Sequence, residues 1–140
     1  MKLAEILKIA YENKASDIHL VSGHPPTMRV NTVMTPMDYP SLTPAGVRAA
    51  LQEMVSAEQM KRFDEYMDLD FSYSVSEFGR YRVNAHYQRA SVALAMRAIK
   101  VKVPPLEMLN LPEVIARLTY LPRGLVLVTG DTGSGKSTTL

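Results

Sequence analysis

Three stretches between Leu69 and Ala98 alternate apolar and polar residues, and this constrains the fold more than any other feature of the chain. Leu69, Phe71, Tyr73 and Val75 alternate with Asp70, Ser72 and Ser74. Tyr81, Val83, Ala85 and Tyr87 alternate with Arg80, Arg82, Asn84 and His86. Val92, Leu94, Met96 and Ala98 alternate with Ala93, Ala95 and Arg97. A period of two is the signature of a strand with one face buried. Gly79 marks the first turn and Arg89 to Ser91 the second. Strands this close in sequence pair most simply as an antiparallel meander. Arg80, Arg82 and Arg97 fall on polar faces, and an antiparallel pairing sets Arg82 and Arg97 close together.

The residues before the meander predict mixed structure. Leu3, Ile6, Leu7 and Ala10 recur at helical spacing, so residues 2–13 read as an amphipathic helix. Residues 17–21 alternate as a short strand. Ser22 to Pro26 form a turn, because glycine and paired prolines break regular structure. Residues 27–34 alternate again and read as a second strand. Thr43 suits an N-cap and Pro44 a first helical position, ahead of Val47, Ala50, Leu51 and Met54. Ser56 with Gln59 reads as a capping box opening a further short helix through Met60 and Phe63.

After the meander the character changes. Pro104, Pro105 and Pro112 mark residues 102–112 as a linker with at most a short helical piece. Residues 113–119 read as a short helix that Pro122-Arg123-Gly124 ends. Leu125 to Thr129 form a continuous apolar run, the pattern of a strand buried on both faces, as in a parallel sheet. Its host sheet is not in these residues, so the run is expected to be covered by its own domain or by a neighbouring chain.

The run leads directly into Gly130-Asp131-Thr132-Gly133-Ser134-Gly135-Lys136-Ser137. This matches the Walker A pattern G-x-x-x-x-G-K-[ST]. The glycines let successive backbone N–H groups point at phosphate oxygens. Lys136 supplies a flexible cation for the β- and γ-phosphates, and the Ser137 hydroxyl is a ligand for Mg²⁺. Thr138, Thr139 and Leu140 suit the first turn of a helix whose positive end faces the same phosphates. The expected ligands are therefore ATP and Mg²⁺. No acidic residue ends an apolar strand as a second metal-holding element would, so these residues alone are expected to hydrolyse ATP negligibly and to be part of a larger protein.

Bulk properties exclude other classes. The 140 residues carry a net charge of +2 with Lys and Arg scattered, which gives no basic stripe for nucleic acid. There is no cysteine, hence no disulfide or thiolate metal site. His19, His24 and His86 match no ligand spacing. No run approaches the roughly 18 apolar residues of a membrane span, and the N-terminus lacks the apolar segment of a signal peptide. The expected location is cytoplasmic. Met54, Met60 and Met67 are expected to serve as core or packing surface.

Several segments, in this order, resemble a known family: Ala15-Ser16-Asp17-Ile18-His19-Leu20, Gly23-His24-Pro25-Pro26 with Arg29, Leu69 to Tyr73, Gly79 to Asn84, and Pro122 to Gly130. The chain resembles the type II/IV secretion ATPase superfamily, within it the type IV pilus retraction (twitching-motility, PilT-like) ATPases. The resemblance covers essentially the whole chain. The retraction branch is favoured because the helix at residue 2 leads straight into the segment from Ala15. It implies an α+β chain: a PAS-like domain over residues 1–100, a linker over 101–112, and the first strand and P-loop of a RecA-like ATPase domain over 113–140. It further implies a hexameric motor at the cytoplasmic face of the inner membrane, at the pilus base, working on an inner-membrane platform protein. In the family, arginines matching Arg82 and Arg97, and secondarily Arg80, reach the nucleotide's phosphates. Without the resemblance, these arginines read as a solvated strand face. Members often carry Asx-Gly after the position of Val30; Asn31-Thr32 stands here, so a wider loop or a continuing strand is expected. The alternatives are a pilus-extension or type II secretion ATPase of the same superfamily, or a non-catalytic oligomerisation or docking module.

Overall fold

The computed structural model describes residues 2–99, 105–130 and 135–140. The chain divides into two compact units, Met1–Val101 and Lys102–Leu140.

The first unit contains helices α1 (Leu3–Glu12), α2 (Pro44–Met54) and α3 (Ala57–Tyr66). Its strands are β1 (Asp17–Leu20), β2 (Thr27–Val30), β3 (Val33–Pro36), β4 (Asp68–Val75), β5 (Gly79–Gln88) and β6 (Ser91–Ile99). They form one sheet in the order β3-β2-β1-β6-β5-β4, and every pairing is antiparallel. The expected meander is its β4-β5-β6 half. Strand β1 closes onto β6, joining residues nearly eighty positions apart, with Asp17 opposite Arg97 and Leu20 opposite Leu94.

Local signals explain the helices. Thr43 accepts the Gly46 N–H through its Oγ1 at 3.1 Å, with Pro44 in the first turn of α2. Ser56 and Gln59 form the reciprocal capping box of α3. Helix α1 has no side-chain cap at its start. Its last turn is closed by Asn13, whose side chain donates to the Ile9 carbonyl at 2.8 Å.

Burial of the apolar stripes holds these pieces together. Ile18, Leu20, Met28, Val83, Leu94 and Met96 from the sheet join one cluster with Leu3, Ile6 and Leu7 of α1, Val47 and Leu51 of α2, and Phe63 of α3. Met54 and Met60 pack against this core. Met67 does not: it sits exposed, in the left-handed position that ends α3. Since side chains alternate along a strand, covering one sheet face with the helices leaves Asp17, His19, Arg29, Arg80, Arg82, Asn84 and Arg97 on the other.

Two expectations are corrected. Residues 27–34 are not one strand. Asn31 and Thr32 adopt φ 47° and 72° and turn the chain in a two-residue loop, with Val30 opposite Val33. Two successive left-handed residues match the twist of a tight hairpin. The Arg29 guanidinium donates to the Thr32 carbonyl at 3.0 Å, which helps hold Thr32 in a conformation its branched side chain disfavours.

The second correction concerns the second unit. It contains a 3-10 turn at Leu106–Leu109, a short helix α4 (Val114–Leu118) and a single turn α5 (Lys136–Thr139). Leu125 to Thr129 form no strand, and in the single chain Leu125, Val126 and Leu127 are 82, 54 and 75% exposed, so their own unit does not cover them. A strand exists through ladder hydrogen bonds to a neighbour. Among the described residues all strands belong to the sheet of the first unit, so this run has none.

Candidate functional site

The two groups of residues singled out in the sequence lie in different units.

In the second unit, Gly130 and Gly135 have φ 148° and 94°. At Gly135 the backbone is left-handed, a conformation a side chain would strain, and α5 starts at the next residue. The Lys136 ammonium donates to the Gly130 carbonyl at 2.7 Å, so the cation lies back over the first residue of the loop. Asp131, Thr132, Gly133 and Ser134 lie outside the described residues, as does the side chain of Ser137. Thr138 is exposed. The glycine-to-helix turn and the position of Lys136 fit a phosphate group, with the lysine as its mobile counter-charge.

In the first unit, the polar sheet face carries a row of residues directly opposite one another across five strands. The row runs Arg29 (β2), Asp17 (β1), Arg97 (β6), Arg82 (β5) and Ser72 (β4). The closeness expected for Arg82 and Arg97 is realised, since they are register partners. Like charges in that position repel, and each arginine is drawn toward a carboxylate on its far side. Arg97 donates from Nε to Asp17 Oδ1 at 3.0 Å, and Arg82 Nη2 lies 3.5 Å from Asp70 Oδ2. Arg80 donates from Nη2 to the Ser72 hydroxyl at 3.3 Å. An open hollow of ≈ 320 Å³ lies over this row, lined in part by Asp17, His19, Asp70, Arg82, Asn84 and Arg97. A larger one, ≈ 550 Å³, beside Val55, Ser56, Met60, Lys61 and Asp64 offers no arginine.

Asp17 is the anchor of the row. Its side chain is only 14% exposed, against 76% for Arg97. Oδ2 accepts the Ser16 hydroxyl at 2.8 Å and lies 3.3 Å from Arg29 Nε. Burial pushes the carboxyl up, but the hydrogen bonds from Ser16 and Arg97 and the charges of Arg97 and Arg29 pull it below its ordinary value. It is therefore ionised at neutral pH. From the sequence Asp17 reads as a strand cap or the partner of an unspecified nearby base, with no catalytic role. Its partner Arg97 is eighty residues away, and only the β1–β6 pairing reveals the contact.

Among the described residues no helix is long and apolar enough to cross a membrane. An α+β unit with one antiparallel sheet and an arginine-bearing open face thus precedes a glycine turn that opens a short, lysine-led helix. The chain belongs to the type II/IV secretion system protein family, which it matches over residues 1–140.

Within that family it is similar to the type IV pilus retraction ATPase PilT of Pseudomonas aeruginosa, at 41% identity over 140 residues covering all of this chain and 41% of the relative. It is 36% identical to the type IV pilus ATPase PilU of the same organism, covering all of this chain and 37% of that one. Among solved structures, the crystal structure of the pilus retraction motor PilT with bound ADP superposes with TM-score 0.89 at 41% identity, covering 99% of this chain and 41% of the other. The chain thus spans about two fifths of the length of these relatives.

Proposed function

We propose that this chain is the ATP-binding N-terminal portion of a hexameric motor ATPase that powers type IV pilus retraction. The observation that carries the proposal is the Gly130–Ser137 loop, with Gly135 left-handed and the Lys136 ammonium 2.7 Å from the Gly130 carbonyl. Similarity to a retraction motor solved with ADP supports nucleotide binding and the retraction branch. Similarity to PilU supports, as a second reading, another ATPase of the pilus machinery.

In this proposal residues 1–100 are a PAS-like domain, a reading supported by an antiparallel sheet in which the first and last strands, β1 and β6, are central neighbours. Residues 101–112 are the linker and 113–140 open a RecA-like ATPase domain. The backbone N–H groups of Gly130 to Lys136 hold the phosphates. Lys136 releases the Gly130 carbonyl to meet them, and the Ser137 and Thr138 hydroxyls complete the cradle. Mg²⁺, held through Ser137, neutralises charge on the β- and γ-oxygens when bound. Arg82 and Arg97, and secondarily Arg80, are phosphate-sensing cations. The motor works in the cytoplasm, peripheral to the inner membrane, against a platform protein of the pilus. Residues 1–140 by themselves are expected to turn ATP over negligibly, because among the described residues no strand of the second unit supplies a carboxylate for the metal.

The test is titration of the full-length protein with a non-hydrolysable ATP analogue, with and without Mg²⁺. Lys136→Ala is expected to weaken binding at least about tenfold, the scale of a lost charge-assisted contact. Unchanged affinity in that variant, with its fold intact, rejects the proposal.

A further inference from the structure

We infer that Asp17 is a positioning residue: it grips the Arg97 guanidinium by its Nε edge and leaves both terminal nitrogens available to an oxyanion. The inference rests on the reading of Arg97 as a phosphate-sensing cation.

The geometry is one-sided. Arg97 has five N–H donors, and Asp17 takes the one on Nε, at 3.0 Å. Among the described residues neither Nη1 nor Nη2 of Arg97 has a hydrogen-bond partner. The guanidinium is thus oriented without its terminal fork being used. That fork is the part suited to bidentate phosphate recognition. An exposed arginine free of such a hold samples many rotamers, and that freedom is lost on binding. A side-on carboxylate removes part of the loss beforehand.

The carboxylate is itself well fixed. Ser16, just before it, donates its N–H to the Arg29 carbonyl and accepts the Ala98 N–H, both at 2.9 Å. Backbone on either side of β1 therefore pins the residue next to Asp17. The Ser16 hydroxyl and Arg29 hold Oδ2, which leaves Oδ1 for Arg97. Arg29 also turns toward the hairpin, donating to Thr32, so it is tied locally. The contrast with Arg82 sharpens the assignment. Its contact with Asp70 uses a terminal nitrogen, is longer at 3.5 Å, and joins two well-exposed side chains. Arg82 stands directly opposite Arg97, and the hold by Asp17 draws Arg97 to the far side, which offsets the mutual repulsion of the two cations.

A double-mutant cycle on the full-length protein tests this. Wild type, Asp17→Asn, Arg97→Ala and the double variant are compared by Kd for the Mg²⁺ complex of a non-hydrolysable ATP analogue, by ATPase kcat and KM, and by melting temperature. Asp17→Asn is expected to raise the analogue Kd about fivefold in the wild-type background and to add nothing when Arg97 is already alanine. Arg29→Ala, which spares the Oδ1 contact, is expected to leave that Kd within about twofold. Should Asp17→Asn melt too early to assay, Asp17→Glu, which keeps the charge at a different reach, serves in its place.

An unchanged Kd in the Asp17 variant, or an effect that persists undiminished beside Arg97→Ala, overturns the inference while leaving the role of Arg97 standing. If Arg97→Ala alone changes neither affinity nor turnover, the phosphate-sensing reading itself has failed and the inference falls with it.

Discussion

Arg82 on β5 and Arg97 on β6 stand opposite one another in the sheet, yet each is held by a carboxylate on the strand at its far side, Asp70 on β4 and Asp17 on β1. Such a pair is unfavourable for stability in isolation and useful for meeting a multiply charged anion. Function and stability should therefore separate at Arg82. Arg82→Gln is expected to lower affinity for an ATP analogue about tenfold. Folding stability should stay within about 0.5 kcal/mol of wild type, since the exposed pair with Asp70 is worth little. Parallel calorimetric binding and urea unfolding check both halves; a large stability loss would mark Arg82 as structural.

The pH dependence follows from Asp17. Its pKa is lowered in the folded state: burial pushes it up, but Ser16, Arg97 and Arg29 together outweigh burial. A carboxyl lowered in this way stabilises the fold at pH above its unfolded value of about 4, and the contribution fades as pH falls through the lower folded value. The melting temperature of Asp17→Asn should lie below wild type at neutral pH. The two curves should converge on acidification, once the wild-type carboxylate is protonated. Parallel curves down to the acid limit would show that the ion pairs contribute nothing.

Phe63 is fully buried, and its ring stacks on Tyr87 with centroids 5.4 Å apart at 14°. It ties α3 to the sheet at the end away from the arginine row. Phe63→Ala leaves a cavity and should cost ~3–5 kcal/mol, while Phe63→Leu should cost about 1.5 kcal/mol or less. Urea midpoints at constant slope give the comparison.

The hairpin at Asn31-Thr32 carries strain that glycine relieves. Thr32 holds φ 72° despite its branched side chain. Left-handed backbone costs a non-glycine residue about 1–2 kcal/mol, and glycine returns about half of that as extra freedom of the unfolded chain. Thr32→Gly should therefore stabilise by roughly 0.5–1 kcal/mol. The Arg29 bond survives, because its acceptor is the backbone carbonyl. A fall in melting temperature would show that the threonine side chain makes a compensating contact.

What could be read from the sequence was what neighbouring residues decide among themselves. Ser56 and Gln59 cap each other across three residues, Pro44 pre-sets the first turn of α2, and the alternation in β4, β5 and β6 reports one covered face. The left-handed backbone at Gly135 is likewise local, since glycine takes such angles without strain.

Tertiary structure decided whatever depends on a distant partner. The tight turn at Asn31-Thr32 has no glycine to announce it and is held by Arg29 and by the β2–β3 pairing. The apolar run from Leu125 to Thr129 has the composition of a buried strand, but composition supplies no hydrogen-bond partner, and none of the strands among the described residues pairs with it. The role of Asp17 exists only because β1 lies against β6, bringing a carboxylate and a guanidinium from opposite ends of the unit to 3.0 Å. Local propensity acts over a few bonds, whereas a charge row across four strands is made by register, and register is settled only when the sheet closes on its core.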